Sequence, residues 1–218
     1  MPKGAPDIHI SNPAKENIFL LGLRQQGKTN YLAYLLSRIS MPYTLWDEVR
    51  AVSQIFRPLY PKTQKIIYPP IFPKLPYISK EEANRRRNLK LEAFDSVCHT
   101  IMNKGNQLFI VDEVHTFCNK RNISYEFNEL ITKGGNENVG FIGTSQSVSQ
   151  VSNIILGNTL HFFIFRTTLP NDIEWLGKII PKKIVEQSQY VEPYGFIYHK
   201  VGMRDPVYGS AIQKMTLA

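Results

Sequence analysis

The residues Gly22, Leu23, Arg24, Gln25, Gln26, Gly27, Lys28 and Thr29 constrain this chain more than any other feature. They complete the pattern GxxxxGK[ST], which ordinary residue usage produces by chance in about one chain in a hundred of this length. The flanks narrow its meaning. Residues 17–22 are a short apolar run ending in glycine and predict a buried strand. Leu32, Leu35, Leu36 and Ile39 recur at helical spacing within 27–40 and predict a helix, which Pro42 ends. A strand, a glycine-bounded loop and a helix start together form a phosphate cradle. Backbone N–H groups from Gly22 through Asn30 ring the phosphates, and the helix N-terminus adds partial positive charge. Lys28 supplies the counter-charge for β- and γ-phosphates, and the Thr29 hydroxyl is read as a Mg²⁺ ligand. Such a cradle touches phosphates only, so it predicts a bound nucleoside triphosphate without choosing between ATP and GTP.

The rest of the chain alternates strand and helix patterns. Residues 43–46, 107–111, 139–144, 159–165 and 195–199 read as strands, and 79–103, 125–132 and 172–179 as helices. Several strands are apolar throughout, which requires burial on both faces. The expected fold class is α/β, a P-loop NTPase of RecA-like, additional-strand type, with a mainly parallel central sheet flanked by helices. Residues 58–76 hold six prolines around a short strand expected at 65–68, and read as an irregular excursion outside the core. Residues 1–16, with Pro2, Gly4, Pro6 and Pro13, read as a loose N-terminal arm before one ATPase domain over 17–218. The composition, 43% hydrophobic and 20% charged, excludes a disordered chain. Cys98 and Cys118 form no CxxC pair and are expected as reduced, buried thiols. No signal-peptide pattern and no apolar run near the ~20 residues of a membrane helix is found, so work in a host cytoplasm is expected.

The strand at 107–111 delivers Asp112 and Glu113 to the carboxyl edge of the sheet, where open α/β folds bind ligands. Asp112 is read as the second Mg²⁺ partner, directly or through water. Glu113 is read as the general base that polarises an attacking water, which favours hydrolysis over phosphoryl transfer to a metabolite. An acidic pair after a strand also serves as a helix N-cap, and the upstream P-loop is what favours the catalytic role. Residues 140–146 end in Thr144, Ser145 and Gln146, and Gln146 is expected to hydrogen-bond the γ-phosphate or the lytic water. Asp47 and Glu48 form a second acidic strand end, read as structural. His115 is read as a surface histidine or one facing the site. Arg85, Arg86 and Arg87 read as a solvated or subunit-facing stripe on the long helix.

Taken together, 22–29, the acidic pair after 109–111, and 144–146 resemble the motif set of the FtsK/HerA superfamily of P-loop DNA translocases. The likeness continues through 148–158, 160–166 and Asp172, and spans about 17–199. Cellular FtsK adds membrane helices and a DNA-orienting winged helix, and cellular HerA adds an N-terminal barrel. A bare core of this size is similar instead to genome-packaging ATPases of membrane-containing, double-jelly-roll icosahedral viruses, including archaeal ones.

The resemblance implies a hexameric ring that hydrolyses ATP with Mg²⁺ at subunit interfaces. It further implies that the ring drives double-stranded DNA through its centre into a preformed capsid, with capsid or inner-membrane vertex proteins as partners. An arginine supplied by the neighbouring subunit is implied too. Where the family often has a Gly-Arg pair before the sensor strand, this chain has Lys133-Gly134-Gly135-Asn136. Arg166, after the 160–165 strand, therefore matches best, with Arg121 and Lys133 as rivals. The 26 Lys and Arg against 18 Asp and Glu leave +8 per chain, so six copies set roughly +48 around a polymer with one negative charge per ~1.7 Å of axis. Two alternatives stay open: a HerA-like cellular or plasmid translocase working with a nuclease, and, from another class, a nucleotide-gated virion assembly factor. Glu113 argues for turnover rather than switching. A small-molecule kinase is disfavoured because no lid with clustered arginines follows 144–146.

Overall fold

Side-chain alternation along the strands decides the layering. In β1 (Asn17–Leu21) Phe19 and Leu21 enter one core while Ile18 and Leu20 enter another. A strand buried on both faces needs helices on both, which is what the chain supplies. The computed structural model describes residues 8, 10–55, 63–73, 75, 77–119 and 122–209. After β1 come α1 (Lys28–Leu36), β2 (Tyr43–Trp46), α2 (Ala51–Ile55), β3 (Gln64–Ile67), α3 (Lys80–Lys104), β4 (Gln107–Val111) and α4 (Tyr125–Lys133). Then follow β5 (Val139–Ser145), α5 (Asn153–Gly157), β6 (Thr159–Phe165), α6 (Pro170–Leu176), α7 (Lys182–Gln187), β7 (Phe196–Lys200) and β8 (Val207–Gly209).

The eight strands form one sheet in the order β3-β2-β4-β5-β1-β6-β7-β8. β3 through β6 run parallel, and β7 and β8 close the far side antiparallel. The fold is therefore the expected α/β class with β5 inserted as an additional strand between β4 and β1. On one face, α1 and α2 cover Ile18, Leu20, Leu108 and Ile110, with Tyr31 packed against Phe163 and Phe196. On the other, α3 and α4 bring Phe94 and Phe127 onto Phe109 and Phe141, and Phe94 stacks on Phe117 with ring centres 4.2 Å apart. Aromatic pairs of this kind add to the stabilisation that burying the rings supplies.

Several elements differ from the sequence pattern for identifiable reasons. The proline-rich segment is partly a sheet element, because β3 pairs with β2 from Tyr43↔Gln64 to Trp46↔Ile67. Its prolines lie outside 64–67, where an edge strand tolerates them. The remainder of that segment at 58–62, 74 and 76 is outside the described residues. α1 stops at Leu36, where the Ser37 hydroxyl donates to Tyr34 O, although Ile39 still packs on the same core. α6 begins at Pro170, a residue pre-shaped for a first helical turn, and ends before Gly177.

In α3, Ser79 caps the first turn and only Phe94, Cys98 and Ile101 are buried. Arg85 and Arg86 pair with Glu82, and Arg86 also donates to Pro73 O, while Arg87 is exposed. The arm from Ile10 lies against the domain: Ile8 and Ile10 pack on the α1 side, and Glu16 meets His161 and Lys200. Cys98 and Cys118 are free and buried. Among the described residues no helix is long and apolar enough to cross a membrane.

Candidate functional site

Gly22 leaves β1 at φ 142°. A Cβ there would stand 2.6 Å from Phe165 Cβ, so glycine alone lets the loop lie against β6. Leu23 N–H donates to Arg166 O at 2.9 Å and sets the direction of the loop. Gly27, at φ 96°, is the N-cap of α1, with no side chain capping the helix and no acid in its first turn. The first N–H groups of α1 and its partial positive charge are therefore directed to the loop, where they suit an anion. Lys28 is only 7% exposed. Its Nζ donates to Gly22 O at 2.7 Å and Leu23 O at 3.0 Å. Burial pushes its pKa down, and the charges of Glu113 and Asp112 oppose that shift.

Register brings the remaining groups together. Trp46 is level with Val111, and Val111 with Gly143, so the next residues on three neighbouring strands are Asp47, Asp112 and Thr144. The Thr144 hydroxyl donates to Asp112 Oδ1 at 2.7 Å and accepts from Glu113 N–H at 3.0 Å. Asp47 is fully buried, and its Oδ2 accepts from Ser53 N–H at the start of α2. That bond ties the end of β2 to α2, and the charge of Asp47 also bears on Asp112.

Glu113 adopts left-handed backbone geometry, φ 56°, an uncommon conformation for a residue with a side chain and one that recurs at functional sites. Gln146 Nε2 donates to Glu113 Oε1 at 2.7 Å. Among the described residues the buried Glu113 Oε2 accepts no hydrogen bond. His115 faces the site: its Nδ1 stands 3.3 Å from Glu113 Oε2 and 3.3 Å from Ser145 Oγ. Gln146 thus orients the acid directly, where the sequence pointed to phosphate or water.

Lys28, Asp112, Glu113 and Gln146 line a cleft of about 640 Å³ that also includes Arg24, Gln25, Thr29, Asn30 and Tyr194, a volume within the range that holds small ligands. Among the described residues no cluster of three or more His, Cys, Asp or Glu could cage a metal by itself. Thr29 and Asp112 fit Mg²⁺ as an ion shared with phosphates, since Mg²⁺ takes one or two protein oxygens and completes its shell with phosphate and water.

Asp112 is 3% exposed. Burial, chiefly, and the charges of Glu113 and Asp47 raise its pKa from 3.8 to about 6, against the Thr144 hydrogen bond and Lys28. Between these two values the folded protein holds a proton that the unfolded chain releases. This group therefore lowers stability as pH rises through that window, by up to about 3 kcal/mol. Asp112→Asn is expected to melt several degrees above the parent at pH 7.5 without Mg²⁺, with the gap closing below pH 4. A gap of equal size at both pH values would point to packing instead of charge.

Arg166 follows β6, exposed, with its carbonyl on the P-loop. Lys133 pairs with Glu129 and precedes β5, at the edge of the sheet opposite the P-loop. Arg121 lies outside the described residues. Asp172 is buried and accepts from Ser147 Oγ and Ser149 N–H, both at 2.8 Å, tying the loop after β5 to α6. Tyr194 carries no sequence motif; only its Pro-Tyr-Gly turn setting marks it.

No family model and no curated protein sequence matches the chain. Solved structures do. The genome-packaging NTPase B204 of Sulfolobus turreted icosahedral virus 2, in complex with ATP-γS, is similar at TM-score 0.64 and 16% identity, over 91% of this chain and 98% of that one. The fold is that of a P-loop NTPase. B204 of Sulfolobus turreted icosahedral virus, a DNA-packaging ATPase, gives TM-score 0.65 at 16% identity, over 93% of this chain and 100% of the other. ATPases 2 and 3 of Thermomonospora curvata EccC give TM-score 0.58 at 8% identity, over 94% of this chain and 38% of that chain. Likeness to both groups agrees with the resemblance drawn from the motifs.

Proposed function

We propose that this chain is an ATP-hydrolysing double-stranded DNA translocase that packages a viral genome into a preformed capsid. It would act with Mg²⁺ as a hexameric ring, in the host cytoplasm and at a packaging vertex. One observation carries the hydrolytic part: Asp112 bonded to Thr144 and Glu113 bonded to Gln146, in one cleft with Lys28 and Thr29. In this role the P-loop N–H groups and Lys28 would hold the phosphates, and Thr29 and Asp112 would hold Mg²⁺. The ion, when bound, neutralises phosphate charge. The Glu113 carboxylate would take the proton of the attacking water as the water oxygen bonds to the γ-phosphorus and the bond to the β-phosphate oxygen breaks, while Gln146 keeps the carboxylate aimed. Near end-to-end likeness to a viral packaging NTPase and a net charge of +8 support the DNA part, since phosphate tracking needs positive charge and no base contact.

The proposal is tested by Mg²⁺-dependent ATP hydrolysis with and without double-stranded DNA. DNA is expected to stimulate turnover, and the effect is expected to fade with salt. Hydrolysis indifferent to DNA would favour the assembly-factor alternative. In a ring, an arginine exposed at the rim of the site acts on the neighbour. Arg166→Ala and Lys28→Ala are then each expected to lose about 10²-fold or more in turnover. Mixed in equal amounts, they recover part of it, because a Lys28→Ala subunit still lends its arginine. Without recovery, Arg166 is not a trans-acting residue.

A further inference from the structure

The cleft has two sides, and the hydrolytic groups take only one. β4 and β5 lie to one side of β1, so Asp112, Glu113 and Gln146 flank the P-loop there; β6 and β7 lie to the other. If the γ-phosphate faces Glu113, the nucleoside must leave across the opposite side. The chain entering β7 stands there. A Cβ added to Gly27 would be 2.9 Å from Tyr194 Cδ1 and 3.4 Å from Tyr194 Cα, so this tyrosine lies directly on the last glycine of the P-loop. It is nonetheless 45% exposed and lines the cleft. An aromatic ring resting on the loop and open on the ligand side is not core filling.

Its backbone makes the same point independently. Gly195 N–H donates to Glu192 O at 2.9 Å, closing a turn in which Pro193 and Tyr194 are central. Tyr194 has φ 65°, at the position of a proline-led turn where glycine or asparagine is the usual occupant. A bulky aromatic held in this region is an outlier of the kind that clusters at ligand clamps. Glycine is the very next residue, so the strain is confined to the residue that places a ring over Gly27.

We propose that Tyr194 is the stacking platform for the nucleobase, holding the heterocycle of a nucleoside triphosphate while the P-loop holds its phosphates. The inference rests on the P-loop reading and deepens it. Stacking uses the π-face that every base presents, so the platform contributes affinity with little base discrimination.

The test titrates parent protein, Tyr194→Gly and Tyr194→Phe with ATP and with inorganic tripolyphosphate, both with Mg²⁺, by calorimetry. Glycine suits the left-handed backbone, so Tyr194→Gly is expected to fold without loss of melting temperature. It should bind ATP about 10- to 100-fold more weakly and tripolyphosphate as the parent does, while Tyr194→Phe binds both normally. In hydrolysis, the KM for ATP should rise with kcat little changed. An unchanged ATP affinity in Tyr194→Gly overturns the inference, as does an equal fall for both ligands, which would make Tyr194 a prop for the loop. A parent protein that binds neither ligand overturns the P-loop reading itself.

Discussion

Glu113→Gln is expected to bind Mg²⁺ and ATP within a few-fold of the parent protein and to turn over about 10²- to 10⁴-fold more slowly. The substitution is nearly isosteric, and an amide oxygen can still accept from Gln146 Nε2, as Glu113 Oε1 does at 2.7 Å. The Glu113 N–H keeps its bond to the Thr144 hydroxyl, so the left-handed turn is undisturbed. What disappears is the carboxylate as a proton acceptor. The measurement pairs steady-state phosphate release with equilibrium ATP binding. Turnover within about tenfold of the parent would remove Glu113 from the role of base.

The second large effect is at Lys28. Lys28→Ala is expected to lower kcat/KM for ATP by at least about 10²- to 10³-fold, with binding of ATP and of tripolyphosphate both weakened. The ammonium is buried, held by two P-loop carbonyls, and close enough to Asp112 and Glu113 for their charges to bear on it. It is the cationic side chain placed deepest in the loop, and removing it leaves the phosphate cradle with backbone donors alone. Because both ligands lose affinity here, Lys28→Ala contrasts with Tyr194→Gly, where ATP alone should. Near-parental hydrolysis by Lys28→Ala would mean that the phosphates bind elsewhere.

Much of the fold was legible because it follows from local patterns. β2, β4 and β6 begin and end where the apolar runs do, since each is a buried strand bounded by polar or turn residues. α2, α5, α7 and β8 are too short to develop a period and went unread. β3 reads as a short strand inside a proline-rich excursion, and the ladder that makes it part of the sheet depends on β2. His115 and Tyr194 carried no pattern that separates a surface residue from one in a cleft.

The sequence by itself determined the phosphate cradle and the acidic strand end. Gly22, Gly27, Lys28 and Thr29 act within one contiguous turn, and Asp112 and Glu113 simply follow a buried strand, so neighbouring residues suffice to specify them. Tertiary structure alone decided their company. Inserting β5 between β4 and β1 sets Thr144 on Asp112 and Gln146 on Glu113, and the turn before β7 brings Tyr194 onto Gly27. Strand order and register arise from packing between distant segments on both faces of the sheet, and no local periodicity encodes which strand end will stand beside which.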